Sequence, residues 1–460
     1  ILACSCGSPP VATMATRRPL QLLWRRAPHG SRCFPASPGM HQTPIVDLLW
    51  TKRKKAQEEL ATKATTAAAS SEGKVRTLSP KAPGESAQSV TYEFSKPENA
   101  WLVDKYRNPW GHVRPGRLFE DLDALAGTIA FEHCKSSNPN DSFLHIVTAS
   151  VDRIKYNHRP NLKDDLVLSG KVTWVGRSSM EIQMRAQASW THEPFMESLF
   201  TFVARDPDTG RAAQINPLVV SGDEQTALFN LGRQRDAVRK EQRKQAKSSA
   251  VGRALDEEGM QTAQALMDQA QPLLTMPSLA NPNDVFLSET QMQNTFLTMP
   301  QQRNTAGRIF GGFLMRRAYE LARSTAHLFG GRRPVFHELD EVTFKAPVSV
   351  GDMVKFEACV LYTSEKMDPA GRATIHTEVV AHVLKPETRQ TLLSNTFNFT
   401  FGLTKNIDGS GGSVLGTDIE LRRVLPATSA EAYRIVERYE ADARQVAEDA
   451  NINSMREPNL

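Results

Sequence analysis

Long hydrophobic runs, cysteine and surplus charge in the body are what this 460-residue chain has little of. No stretch approaches the roughly 18 consecutive apolar residues that a spanning helix needs, which excludes integral membrane contact. Of five cysteines, Cys4, Cys6 and Cys33 fall near the start. The remaining Cys134 and Cys359 make no disulfide framework and point to a reducing compartment. The formal charge is +5, and Arg17, Arg18, Arg25, Arg26 and Arg32 alone account for that excess, because no acid precedes Asp47. The body is then close to neutral, which argues against a nucleic-acid partner. The basic run from Arg235 to Lys247 has almost no interleaved aromatics for base stacking and suits a solvated helix face. No Gly-x-Ser-x-Gly elbow is present, so an α/β-hydrolase is disfavoured. His192-Glu193 and His337-Glu338 lack the second histidine of a zinc helix, so no metal is expected. His133-Cys134, near a helix end, reads as a packed thiol and not a nucleophile.

What is present starts with an arginine-rich, acid-free leader, residues 1–46, of transit-peptide composition. Met14 is an internal candidate start, and Arg32-Cys33-Phe34 resembles a matrix-processing site, so the expected location is the mitochondrial matrix. Residues 47–90 are poor in large apolar side chains and are expected to form a flexible arm. Two domains follow, 91–220 and 276–405, separated by a helical linker, 221–275, that opens on the capping pattern Ser221-Gly222-Asp223-Glu224. Residues 406–460 are expected to hold a flexible loop around Gly409–Ser413 and a helix capped by Thr428-Ser429-Ala430-Glu431.

The two domains are assigned from an internal repeat. Asn108-Pro-Trp-Gly111-His-Val-Arg-Pro-Gly116 recurs as Asn304-Thr-Ala-Gly307-Arg-Ile-Phe-Gly-Gly312, each running into a helix. The helices carry apolar residues at helical spacing: Leu118, Leu122, Leu125 and Ile129 in one, Leu314, Ala318, Leu321 and Leu328 in the other. Gly330-Gly331 is a plausible stop. Asp152-Arg-Ile-Lys-Tyr156 answers Asp340-Glu-Val-Thr-Phe344, and strand-rich stretches end in Phe200-Thr-Phe202 and Phe399-Thr-Phe401. One helix followed only by strands fits an α+β domain in which an antiparallel sheet wraps a central helix. Two copies make a double hot dog, whose sheets can join edge to edge.

These residues resemble the double hot-dog acyl-coenzyme A thioesterases, most closely the mitochondrial acyl-CoA thioesterase 9 type. The resemblance runs from about Tyr92 to Leu403. It is carried by Arg308-Ile-Phe-Gly-Gly-Phe-Leu-Met-Arg-Arg-Ala-Tyr-Glu-Leu-Ala322, Gly116-Arg-Leu-Phe-Glu-Asp-Leu-Asp123 and Trp174-Val-Gly-Arg-Ser-Ser-Met-Glu181. It implies hydrolysis of acyl-CoA by an asparagine before one domain's glycine turn and a carboxylate on the other domain's helix. Carried over, these are Asn304 and Asp123. Helix geometry favours the same cross-domain pairing, since a carboxylate seven residues past the turn lies about 10 Å from its own helix N-terminus. Backbone N–H groups near Gly311 and Gly312 would receive the oxyanion, Asn304 would polarise the carbonyl or orient water, and Asp123 would act as general base or attack directly. The plain alternative for Asn304 is a turn or cap. For Asp123 it is a solvated helical acid, like its neighbours Glu120 and Asp121.

A reciprocal site would use Asn108 and Glu320, but the position equivalent to Asp123 is Tyr319, and Pro115 replaces the first glycine. One competent and one degenerate site is the preferred reading. Arg177, Ser178 and Ser179 could touch coenzyme A, with a plain hairpin turn the favoured alternative. The recurring Asp152 and Asp340 are read as structural. No cofactor is expected, coenzyme A being part of the substrate, and a homo-oligomer is implied by the resemblance. The rivals are a hot-dog enoyl-CoA hydratase, for which Asp104 and His112 are misspaced around Asn108, and a non-catalytic acyl-CoA-binding protein.

Overall fold

The computed structural model describes residues 76–138, 141, 143–248, 255–304, 307–364, 373–403 and 421–456, preceded by Ile45, Val46, Thr51 and Lys55. Most of the expected leader, the first part of the arm and the Gly409–Ser413 loop lie outside the described residues. In the first half, β1 (Gln88–Tyr92) precedes the first central helix (Pro115–Cys134). Then come β2 (His145–Val151), β3 (Ile154–Tyr156), β4 (Leu166–Val175), β5 (Ser179–Ala188) and β6 (Pro194–Arg205). The second half follows the same plan. After β7 (Asp284–Phe286), it has β8 (Met292–Leu297), the second central helix (Gly311–Gly330), β9 (Pro334–Leu339), β10 (Val342–Thr343), β11 (Met353–Ser364), β12 (Thr374–Lys385) and β13 (Gln390–Leu403).

All these strands except β7 lie in one 12-stranded sheet whose main path is β1-β4-β5-β6-β3-β9-β13-β12-β11-β8. The halves join edge to edge, as the alternating patterns lead one to expect, and the junction is reciprocal. Ile154 and Lys155 of β3 pair with Leu339 and Glu338 of β9, while Val151 and Ser150 of β2 pair with Val342 and Thr343 of β10. Each half thereby pairs the other's inner edge and removes two exposed strand edges. The ion pair of Arg153 with Glu338 ties the same seam.

Sixteen of the 20 residues of the first central helix are buried, so the sheet wraps it on most sides, the hot-dog arrangement. Leu118, Leu122, Leu125 and Ile129 are fully buried, each contributing about 1.5–3 kcal/mol by leaving water. The second helix differs from expectation at one position. Leu328 is 73% exposed, and the buried face runs through Leu321, Thr325 and Phe329 instead. Gly331 ends this helix in the left-handed region at φ +61°, where glycine costs nothing.

Three corrections concern the arm, the leader and the linker. Residues 76–90, assigned to a flexible arm, are structured: Lys81 bridges to Leu218, a short helix spans Pro83–Ser86 and β1 already begins at Gln88. Ile45, assigned to the leader, is fully buried in the core. The linker helix (Asp223–Ser248) has a docked side as well as a solvated one. Arg235 Nε lies 3.0 Å from Glu181 of β5, and Arg239 lies 3.4 Å from both Glu181 and Asp152. Gly232 lets it approach the sheet, since a Cβ there would stand 2.4 Å from Cβ of Trp174.

The C-terminal helix (Ser429–Arg456) repeats this device in the second half. Arg434 pairs with Glu378 of β12, and Arg438 with Asp340 and Asp442. The repeat therefore extends to an arginine pair at i and i+4 on the helix after each domain, which explains why Asp152 and Asp340 recur. It also explains why β5 and β12 are buried beyond simple alternation, because both faces of the sheet are covered. A second linker helix (Glu257–Thr275) leans on the C-terminal helix through Ala263, Ala432 and Val436. Strand β14 (Arg423–Leu425) pairs in parallel with β7.

Candidate active site

The two asparagine turns have one geometry. Asn108 N–H donates to the His112 carbonyl at 2.8 Å, and its Oδ1 accepts from Trp110 N–H at 2.9 Å and His112 N–H at 3.0 Å. Asn304 likewise donates through its backbone to Arg308, and its Oδ1 accepts from Arg308 N–H at 3.0 Å. The glycine three residues on sits at φ +77° in Gly111 and +78° in Gly307, a conformation that favours glycine. Both asparagines thus organise the turn that launches a central helix.

The central helices cross near their N-termini. A Cβ on Gly312 would stand 2.8 Å from Glu120 Cα and 2.9 Å from both Asp123 Cβ and the Phe119 carbonyl, so no larger residue fits without a backbone shift. Gly311 is equally close to Phe344. This contact delivers Asp123 to the other helix: Gly312 N–H donates to Asp123 Oδ2 at 2.7 Å, and Thr148 Oγ1 donates to Oδ1 at 2.9 Å. The second helix has no capping side chain of its own, so a carboxylate from the other half caps it. Asp123 is 1% exposed. Burial pushes its pKa up to about 6 against the opposing pull of the Gly312 and Thr148 hydrogen bonds.

The alternative of a solvated acid fails for Asp123 and for both neighbouring carboxylates. Asp121 is fully buried and accepts from Tyr106 Oη. Glu120 pairs with Arg316 at 2.9 Å and Arg117 at 3.0 Å. Gly312 also differs from its expected role, because its N–H is engaged by Asp123 and not open to an oxyanion. Thr148 is a site residue that sequence reasoning missed. A threonine in a strand is unremarked by pattern, and Thr148 lies on the same face of β2 as the buried Ile146.

The reciprocal side is chemically different. Asn108 lines a cleft with Tyr319, the counterpart of Asp123, while Glu320 is not among its lining residues. Glu320 turns instead to Arg114 and Arg317, each at 3.2 Å. Pro115, at the first helical position, has no N–H to offer. Arg177, Ser178 and Ser179 form the β4–β5 hairpin: Gly176 N–H donates to Ser179 O, Ala204 N–H to Ser178 O and Ile215 N–H to Arg177 O. Across the ladder, Ser179 faces Val203, which faces Val147 beside Thr148, so the hairpin lies two strand spacings, roughly 10 Å, from β2. Asp104 pairs with Arg107 at 2.6 Å and is 65% exposed, away from the Asn108 cleft that His112 does line.

A family model described as "Thioesterase superfamily" matches residues 111–189. The chain is 40% identical over 412 residues to acyl-coenzyme A thioesterase 4, mitochondrial, of Humulus lupulus, covering 88% of this chain and 74% of that one. The chain belongs to the acyl-coenzyme A thioesterase family. To the human family member acyl-coenzyme A thioesterase 9, mitochondrial, it is 33% identical over 320 residues, covering 68% of this chain and 70% of that one. Among solved structures it is similar to an acyl-CoA hydrolase from Staphylococcus aureus determined with butyryl coenzyme A, at 22% identity and a TM-score of 0.30 over 38% of this chain and 99% of that one. No described helix of this family member is long and apolar enough to cross a membrane.

Proposed function

We propose that this chain hydrolyses acyl-coenzyme A to a free fatty acid and coenzyme A, with Asp123 activating water and Asn304 polarising the thioester carbonyl. The observation that carries this is a buried carboxylate of one half held 2.7 Å from the first-turn N–H of the other half's central helix. A carboxylate whose pKa lies near 6 is ionised at neutral pH yet basic enough to take a proton from water. With Gly312 N–H engaged in orienting Asp123, stabilising the oxyanion falls to the neighbouring first-turn N–H groups and to the Asn304 amide. The Arg177–Ser179 hairpin is the nearest candidate for touching coenzyme A. The arginine-rich leader and the organellar names of the relatives support an organelle as the destination, the mitochondrial matrix in this reading. A homo-oligomer is expected, and a bare monomer in light scattering would count against it.

The deciding assay is thiol release from short- and long-chain acyl-CoAs by the purified protein and by Asp123→Ala and Asn304→Ala. Release by the wild type and losses of about 100-fold or more in the variants are expected. Loss of enoyl absorbance without thiol release would make the protein a hydratase. Binding with no turnover would make it an acyl-CoA-binding protein.

A further inference from the structure

The cleft beside the Asn108 turn is basic. The cleft at Asn108 holds about 60 Å³ and is lined by Arg159, Arg323 and Arg333 together with Trp110, His112 and Tyr319. Among the described residues no carboxylate lines it. Arg323 comes from the second central helix and Arg333 from the turn before β9, and their guanidinium carbons stand 4.4 Å and 5.0 Å from the Trp110 ring centroid. The indole holds the two guanidiniums in place, which lowers the freedom they lose on gripping a ligand. Tyr319, where the other half has Asp123, is 6% exposed and supplies a neutral hydroxyl: burial holds its pKa up at about 12. Two imidazoles register the local positive field. Burial lowers His112, and Arg159 and Arg333 lower it further. Burial lowers His327, and Arg323 and Arg333 add to that shift.

We infer that the cleft of the degenerate half is a phosphate-binding site, which grips the phosphate group of a small ligand through Arg323, Arg333 and Arg159 without cleaving it. The chemistry needed to hydrolyse a thioester is absent there: Tyr319 replaces the base and Pro115 removes a helix N–H. Three forked guanidiniums lining one cleft suit a tetrahedral, doubly charged group better than a single carboxylate. This goes beyond the proposed hydrolysis: the lack of turnover at this cleft rests on Asp123 being the base, and the grip on phosphate does not. A tyrosine in place of the acid would thus leave a binding function where turnover is lost.

The test is titration of the purified full-length protein with inorganic pyrophosphate, followed by tryptophan fluorescence, with Trp110→Phe identifying the reporter. Binding in the millimolar range or tighter is expected. Arg323→Gln should weaken it about tenfold, the loss of one charge-assisted contact, and Arg333→Gln, outside the helix that carries Arg323, should do the same if the first variant fails to fold. Asp123→Asn should leave it unchanged. Competition separates the sources of phosphate. Displacement by coenzyme A but not dephospho-coenzyme A assigns the 3′-phosphate, displacement by inorganic phosphate assigns the free ion, and either supports the inference. No binding up to roughly 20 mM, equal affinity in folded Arg323→Gln and Arg333→Gln, displacement by phosphate-free pantetheine, or loss of binding in Asp123→Asn alone would overturn it. A failed thiol-release assay would leave all of these readouts intact.

Discussion

Titrating Asp123 should change activity and stability together, in opposite senses. Its folded pKa of about 6 stands above the ordinary 3.8, so between these values the unfolded chain has released the proton while the native protein keeps it. Native stability therefore falls as pH rises through the window, by about 3 kcal/mol in all. The contribution is fully present below the unfolded pKa and lost above the folded one. Activity runs the other way: kcat/KM should climb with an apparent pKa near 6, so that at pH 5 about a tenth of the plateau remains. Urea unfolding of the wild type and Asp123→Asn at pH 4 and pH 7 isolates the stability effect. The variant should gain about 2 kcal/mol relative to the wild type across that range, most of the full window, and the subtraction cancels Asp152, which burial pushes up to about 7. A stability difference flat with pH, a rate limb near 4, or Asp123→Asn retaining most of its thiol release would refute the reasoning.

Three further outcomes follow from packing. Gly312→Ala must push its Cβ against Glu120 Cα and the Phe119 carbonyl. Stability should drop by about 1–3 kcal/mol in urea unfolding, and thiol release should fall because Asp123 shifts with the crossing. Arg438→Met leaves Asp340 and Asp442 partly buried without their shared cation. A loss of about 3–5 kcal/mol is expected, with partial recovery on adding Asp340→Asn. Cys134 and Cys359 are buried with thiol pKa values pushed up to about 12. Peptide mapping after iodoacetamide treatment at pH 8 should find both unmodified in the native protein and alkylated in urea.

The order of elements, the twofold repeat and the hot-dog class were legible because each rests on local pattern: glycine turns, helical spacing and strand alternation survive in a single sequence. The family resemblance paired Asp123 with the Asn304 turn of the other half, and spacing favoured a cross-domain arrangement, since a rise of about 1.5 Å per residue puts the acid out of reach of its own helix end. What stayed hidden depends on contacts between distant segments. Thr148 reaches Asp123 only because β2 packs against the first central helix, and Asp152 and Asp340 are anchors only because arginines 87 and 98 residues further on return to them. Leu328 carries the right residue type on the right helix yet faces solvent, because the packed stripe drifts toward Phe329. Two helix-and-strand modules and the chemistry available at their turns follow from local pattern in the chain. Which carboxylate loses its water and gains an N–H follows from packing, because burial and proximity are properties of the seam between halves and are written in no single stretch of residues.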